Sequence, residues 1–166
     1  MERYWKASEF AKKAHAGVTR RFTGEPYWNH PHRVAMRVAA LAHHSDTMVE
    51  AAYLHDVLED TDVSEYEMWA EFGSTVLGYV KALTKPSTAF GNRATRKAKM
   101  AMTLAAAPNE VKTIKLSDLL DNGPSLREHD PEFWKVYRAE TMVLLPALKG
   151  GDIDLYAEVE LMLAGF

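Results

Sequence analysis

Residues 51–60 read AAYLHDVLED, an apolar run that carries a histidine, two aspartates and a glutamate. Ala51, Leu54 and Leu58 recur three and four apart, which predicts a helix packed on one side. On that helix His55 and Glu59 lie four apart, as do Asp56 and Asp60, and Asp56 and Glu59 lie three apart. The polar groups therefore gather on another side and its edge. Burying such groups unpaired is costly. A surface helix laced by ion pairs would place lysine or arginine one turn away, and none stands there. Four acidic or imidazole groups without a basic partner predict a site neutralised by something else, for which a divalent metal ion is the simplest candidate. Adjacent His55 and Asp56 diverge by about 100° on an ideal helix. Both reach one ion only at their shared edge, with further ligands from other helices.

Working outward, the pattern is helical almost throughout. A first helix is predicted over 3–17, with Tyr4, Ala7, Ala11 and Ala14 near helical spacing. RRFTGEPYWN (20–29) is a loop holding Gly24 and Pro26. It ends in Asn29, read as the N-cap before Pro31 in the first turn of a second helix, whose Val34, Val38 and Leu41 share a face. Asp46 is read as the cap of a third helix running to Glu59. SEYE (64–67) has capping-box spacing, and Gly73 stops the helix it begins. Helices at 74–83 and 93–106 flank the polar loop TKPSTAFGN (84–92). Two more start at 109 and 131, and the last occupies 153–164. Strand-like alternation is nearly absent, and no internal repeat or low-complexity linker interrupts the chain. The expectation is one all-α domain over 1–166.

Composition narrows the function classes. The chain has 166 residues, 47% of them hydrophobic, which suits a globular domain with its own core. A net charge of −3 with interspersed signs argues against a broad nucleic-acid-binding face. With no cysteine, disulfides and thiolate ligands are excluded. No apolar run approaches the roughly 20 residues that span a bilayer, and no signal-peptide pattern opens the chain, so a cytoplasmic protein is expected.

Two other stretches offer ligands. NHPH (29–32) places His30 at a helix start, either as a ligand or as a local hydrogen-bonding group. IKLSDLLDN (114–122) places Asp118 in an otherwise apolar helix with Asn122 one turn on; Asp118 is either a ligand or a solvated aspartate between Lys115 and Asp121. Spacing alone does not join the three segments.

HDVLEDT (55–61), GEPYWNHPHRVA (24–35), FGSTVLGYVKALTK (72–85) and IKLSDLLDN together resemble the hydrolase domain of the RelA/SpoT family and its stand-alone relatives, the small alarmone hydrolases, within the HD superfamily of metal-dependent phosphohydrolases. The likeness runs from about His15 to Asn122 and weakens beyond. It implies an all-α HD fold and one Mn²⁺ held by His30, His55, Asp56 and Asp118, with Fe²⁺ or Zn²⁺ as alternatives. It also implies that Glu59 and Asp60 handle the attacking water and that Asn122 lies near the nucleotide. Arg20 and Arg21 correspond to the basic pair before GEPY. One extra residue separates them from Gly24, which leaves open which arginine faces substrate. The implied activity is removal of the 3′ pyrophosphate from ppGpp, the alarmone of the stringent response, with a guanine nucleotide as partner and neither nucleic acid nor membrane. The chain ends at Phe166 without the synthetase and regulatory domains of long family members, so hydrolysis alone is expected.

The chain departs from the family's Ala-Asp-Arg-Leu-His-Asn at Leu119 and Asp121, while Ser125 stands for a family threonine and keeps its hydroxyl. A missing cation and an added carboxylate open a second expectation, an HD phosphohydrolase of another nucleotide such as a nucleoside monophosphate or NADPH. A third is a helical module that binds without catalysis. Tyr27 and Trp28 either flank a guanine or pack the loop. His43 and His44 are read as helix-end hydrogen-bonding groups, and His32 as turned away from the ion. Trp5, Trp69 and Trp134 are read as packing anchors. In EFWKVYRAE (132–140), Phe133, Val136 and Tyr137 are expected to face inward.

Overall fold

The computed structural model describes residues 4–165, so the predicted helix start at residue 3 lies outside it. Nine α-helices occur among the described residues: α1 (Trp5–Ala14), α2 (Asn29–Ala39), α3 (Asp46–Leu54), α4 (Val57–Asp60), α5 (Glu65–Leu83), α6 (Arg93–Ala106), α7 (Asn109–His129), α8 (Pro131–Leu144) and α9 (Ile153–Ala164). Strand-like pairing among them is limited to an isolated bridge between Thr19 and Pro26. The all-α expectation holds. No helix among the described residues is long and apolar enough to cross a membrane.

Helix starts follow local chemistry. The Ser64 backbone N–H donates to the Glu67 carboxylate at 2.8 Å, and Glu67 N–H returns a bond to Ser64 Oγ at 3.2 Å, which completes the predicted capping box. Gly73, at φ 80° and ψ 175°, breaks the helical path inside α5, so the expected stop is a kink between two helical runs. Two caps shift by a residue. Trp28 precedes α2 while Asn29 lies within it, and the Asn29 amide instead donates to Glu25 at 3.0 Å. Ser45, not Asp46, caps α3 by accepting from Met48 N–H at 3.2 Å. The first helix stops at Ala14 rather than at 17, with His15 as its C-cap.

The chain divides into two compact units, Met1–Thr84 and Lys85–Phe166. In the first, α3 packs against α1, α2 and α5. Met48, Val49, Ala51, Ala52, Tyr53 and Leu54 are all buried, so α3 is apolar nearly all round, as a central helix must be. Full burial of one such leucine stabilises the fold by roughly 1.5–3 kcal/mol. In the second unit, α7 packs against α8, α9 and the 3₁₀ turn Leu145–Leu148. Glycines permit the close approaches: a Cβ on Gly123 would lie 2.2 Å from the Met162 sulfur, and one on Gly151 would lie 2.9 Å from Leu116 Cδ1 and 3.1 Å from the Thr113 backbone nitrogen. Pro124 sits inside α7, where it lacks the N–H that would bond one turn back.

Three packing expectations are corrected. Trp5 is 65% exposed and Trp69 49% exposed. Trp5 lies about 200° round α1 from buried Ala7; Trp69 leans on Tyr66, with ring centroids 5.9 Å apart, instead of entering the core beside Met68. Val136 is also exposed, about 140° round α8 from buried Thr141. Phe133, Trp134 and Tyr137 are half-buried, and Trp134 stacks on Tyr137.

Candidate metal centre

The third helix ends at Leu54 instead of continuing to Glu59, and that break shapes the site. His55 is the C-cap of α3 and Asp56 the N-cap of α4. Both residues keep right-handed helical backbone, at φ −59° and −100°, so the pair meets at its shared edge, as expected of helical neighbours. Asp56 Oδ2 lies 3.2 Å from His55 Nε2. It lies 3.4 Å from Nε2 of His30, which enters from the first turn of α2. The two imidazole Nε2 atoms are 3.2 Å apart. Both histidines are buried.

Protons decide what this cluster can hold. His55 Nδ1 lies 2.7 Å from the Ala52 carbonyl, which only accepts, so Nδ1 carries the hydrogen and Nε2 presents its lone pair. A carbonyl on the far nitrogen is the usual partner of a metal-ligating histidine. Burial alone would raise the Asp56 carboxyl. The neighbouring His55 and His30 rings outweigh it and hold the group well below the usual carboxylate range. Two imidazole nitrogens and an ionised carboxylate thus converge on one point, a donor set that a proton or a divalent cation must reconcile. The two buried histidines and the half-buried Asp56 can coordinate such an ion, and their mixed nitrogen and oxygen donors suit Mn²⁺, Fe²⁺ or Zn²⁺.

The loop before α2 supplies the surrounding shell. Tyr27 N–H donates to the Val18 carbonyl and Arg20 N–H to the Glu25 carbonyl. Gly24 turns the chain at φ 70°. Arg33 binds both Glu25 oxygens, at 3.0 and 3.1 Å, and pins the loop to α2. These bonds, with that from Asn29, hold the Glu25 carboxyl below its ordinary range. So anchored, the Tyr27 hydroxyl lies 2.8 Å from Asp56 Oδ2 and 3.1 Å from Asp60 Oδ2, with one hydrogen to share between them. The Arg20 guanidinium lies over the Tyr27 ring at 5.9 Å, whereas that of Arg21 lies over Phe22. Glu59 is half-buried and Asp60 exposed on the short α4.

In the second unit Asp118 is buried in α7, which removes its reading as a solvated surface aspartate. Lys115 Nζ lies 2.6 Å from Asp118 Oδ2, and the Asn122 amide donates to Oδ1, also at 2.6 Å. Ser125 is half-buried one turn further along the same helix, and Leu119 is buried.

Tyr27 is the functional neighbour that sequence reasoning left between base stacking and loop packing; its hydroxyl bonds were invisible to spacing. His15 carried no signal beyond opening the family likeness, yet it is buried against the Tyr27 ring. His32, as expected, turns away, with Nδ1 3.1 Å from the Tyr53 hydroxyl. His44 bonds the Leu41 carbonyl at the helix end as expected.

A family model described as HD domain matches residues 7–145. The chain is 38% identical over 149 residues to the guanosine-3′,5′-bis(diphosphate) 3′-pyrophosphohydrolase of Aquifex aeolicus, covering 89% of this chain but 21% of that protein. The chain thus spans about a fifth of the long relatives it matches. It is 33% identical over 139 residues to the human guanosine-3′,5′-bis(diphosphate) 3′-pyrophosphohydrolase MESH1, covering 81% of this chain and 75% of that one. A solved structure described as a metazoan orthologue of SpoT that hydrolyses ppGpp superposes with a TM-score of 0.88 at 25% identity, covering 99% of this chain and 95% of that one.

Proposed function

The chain belongs to the HD-domain family, in the group of RelA/SpoT- and MESH1-type alarmone hydrolase domains, and from that membership we propose that it is a metal-dependent guanosine-3′,5′-bis(diphosphate) 3′-pyrophosphohydrolase. The observation that carries the proposal is the convergence of His30, His55 and Asp56 on one point beside Tyr27 and Asp60. Asp118 is the fourth ligand in this reading, supported by the ordered motif set and by a family model that spans both units. The same span supports one HD-type domain over residues 1–166.

A bound divalent ion, Mn²⁺ in the first instance, supplies a water of lowered pKa and offsets charge developing at phosphorus. The chain's own groups do the rest. Asp60 or Glu59 accepts the water's proton, and the Tyr27 hydroxyl, shared with Asp56, keeps Asp60 beside the ligand set. Arg20, not Arg21, faces the phosphates, because its guanidinium lies on the Tyr27 side of the loop, and its planar fork suits two phosphate oxygens at once. Asn122 and Ser125 contact the nucleotide. The water oxygen bonds to the phosphorus attached to the ribose 3′ oxygen, and that P–O bond breaks. The proton taken from the water passes to the departing 3′ oxygen, so the ribose regains its hydroxyl, and the products are pyrophosphate with GDP or GTP. Such a substrate makes the cytoplasm the place of action.

Leu119 favours one competing assignment. Its burial means that the family's arginine is lost rather than replaced by another polar contact, which would relax preference toward a different nucleotide, NADPH or a nucleoside monophosphate. A product-resolved assay of metal-stripped protein on ppGpp, NADPH and nucleoside monophosphates, with and without Mn²⁺, separates the two. Expected is Mn²⁺-dependent release of pyrophosphate and GDP, reduced about 10²–10⁴-fold by the Glu59→Ala, Asp60→Ala double variant. Turnover of the other nucleotides, with none of ppGpp, would overturn the assignment.

A further inference from the structure

His15 is buried at 3% exposure, and neither ring nitrogen has a hydrogen-bond partner among the described residues. Burying a polar ring without a partner is unfavourable, and an apolar side chain of similar size would pack there at no such cost. What His15 does touch is Tyr27: the ring centroids lie 4.8 Å apart at 42°. Tyr27 in turn meets the His30 ring edge-on at 5.9 Å, and its hydroxyl reaches both Asp56 and Asp60. The ionisable groups that act on His15 are those of the centre, namely Asp56, His55 and His30. An imidazole held at the end of α1 therefore abuts a side chain that links a ligand carboxylate to the Asp60 carboxylate.

We propose that His15 is a positioning residue of the metal centre: its imidazole, held by a hydrogen bond between a ring nitrogen and water inside the centre, sets the plane of the Tyr27 ring and, through the Tyr27 hydroxyl, the orientation of Asp56 and Asp60. The proposal rests on the metal-binding part of the function above and not on the identity of the nucleotide. Its chemistry is that of an outer-shell residue. A ligand carboxylate left to rotate binds its ion less well, and loss of such outer partners lowers metal affinity about 10–100-fold. The nitrogen also explains why the position carries histidine and not phenylalanine, since a ring that no hydrogen bond holds in place would not fix the plane of Tyr27.

The test is calorimetric titration of metal-stripped protein with Mn²⁺, which needs no substrate. His15→Phe keeps an aromatic ring and removes the nitrogens, His15→Gln restores a polar group, and Tyr27→Phe removes the hydroxyl. His15→Phe and Tyr27→Phe are each expected to weaken Mn²⁺ binding about 10-fold. Their combination should also weaken it about 10-fold and not 100-fold, because the two act along one chain of contacts. His15→Gln should return affinity to within about 3-fold of the natural protein, a rescue that a purely space-filling role would not produce. His15→Leu serves the same comparison should His15→Phe not fold, with thermal unfolding of each metal-free variant as the control. Natural affinity in His15→Phe, or full multiplication of the two single effects, would overturn the proposal. Failure of the natural protein itself to bind Mn²⁺ would overturn the centre, a distinct result.

Discussion

Replacing Asp56 by asparagine removes the anionic donor while keeping its shape, and the geometry sets the size of the effect. Asp56 Oδ2 contacts both ligand imidazoles and the Tyr27 hydroxyl, at 3.2, 3.4 and 2.8 Å. An ion that binds the folded state alone stabilises it by RT ln(1 + [L]/Kd), about 2.7 kcal/mol at a hundred times Kd. For a chain of this length, each kcal/mol moves the unfolding midpoint by about 2–4 °C, so saturating Mn²⁺ should raise it by about 5–11 °C. Loss of an outer-shell partner already weakens a metal about 10–100-fold, and loss of the charged ligand should reach at least the upper figure. The same Mn²⁺ concentration then equals Kd in Asp56→Asn, and the stabilisation falls to RT ln 2, about 0.4 kcal/mol, or under about 2 °C. Metal-free Asp56→Asn should unfold near the natural protein, because removing a carboxylate that had to stay charged while half-buried offsets part of its lost contacts. Differential scanning fluorimetry of stripped protein across a Mn²⁺ series measures both quantities. A Mn²⁺ increment in Asp56→Asn equal to the natural one would refute the ligand assignment.

Three further outcomes follow from particular contacts. Arg20→Ala should raise KM for ppGpp roughly 10-fold or more through the loss of a charged hydrogen bond, while Arg21→Ala changes it less than about 3-fold; steady-state kinetics with the order reversed would refute the choice made from the Tyr27 side of the loop. Gly151→Ala drives a Cβ against Leu116 Cδ1 and against the backbone of Lys112 and Thr113, and the backbone atoms cannot swing aside. About 1–3 kcal/mol of stability should be lost, seen in urea unfolding with an unchanged slope. The Glu25 carboxyl titrates below its ordinary value because Arg33 and Asn29 bind its charged form. Its contribution is therefore full above the unfolded value and lost as pH falls through the folded one. The stability gap between the natural protein and Glu25→Gln should be widest above about pH 5 and close in acid; a gap that grows in acid would contradict the anchoring.

Much of this protein was legible from residue order alone. Helix ends at α6 and α9, the Ser64–Glu67 capping box and the interruption at Gly73 all depend on contacts within a few residues, so the local code was enough to find them. The chemistry of the 55–60 stretch was legible for a related reason: ionisable groups without basic partners stand out in any apolar run. What residue order misjudged was the path of the backbone at that stretch. The expected helix to Glu59 is divided, with α3 ending at Leu54, and His55 and Asp56 both meet His30 at their shared edge from 25 residues or more away. Tyr27 and His15 were equally illegible, because their meaning comes from distant partners: Tyr27 reaches Asp56 across 29 positions, and His15 is defined by the ring it lies against. Trp5 and Trp69 show the same limit from the other side, since their apolar character predicted burial that neighbouring helices did not supply. Composition and spacing determined that the chain is helical and that it carries a candidate metal site. Which donor atoms converge was decided by tertiary packing, because only packing sets where one helix stops and which ring stands behind which carboxylate.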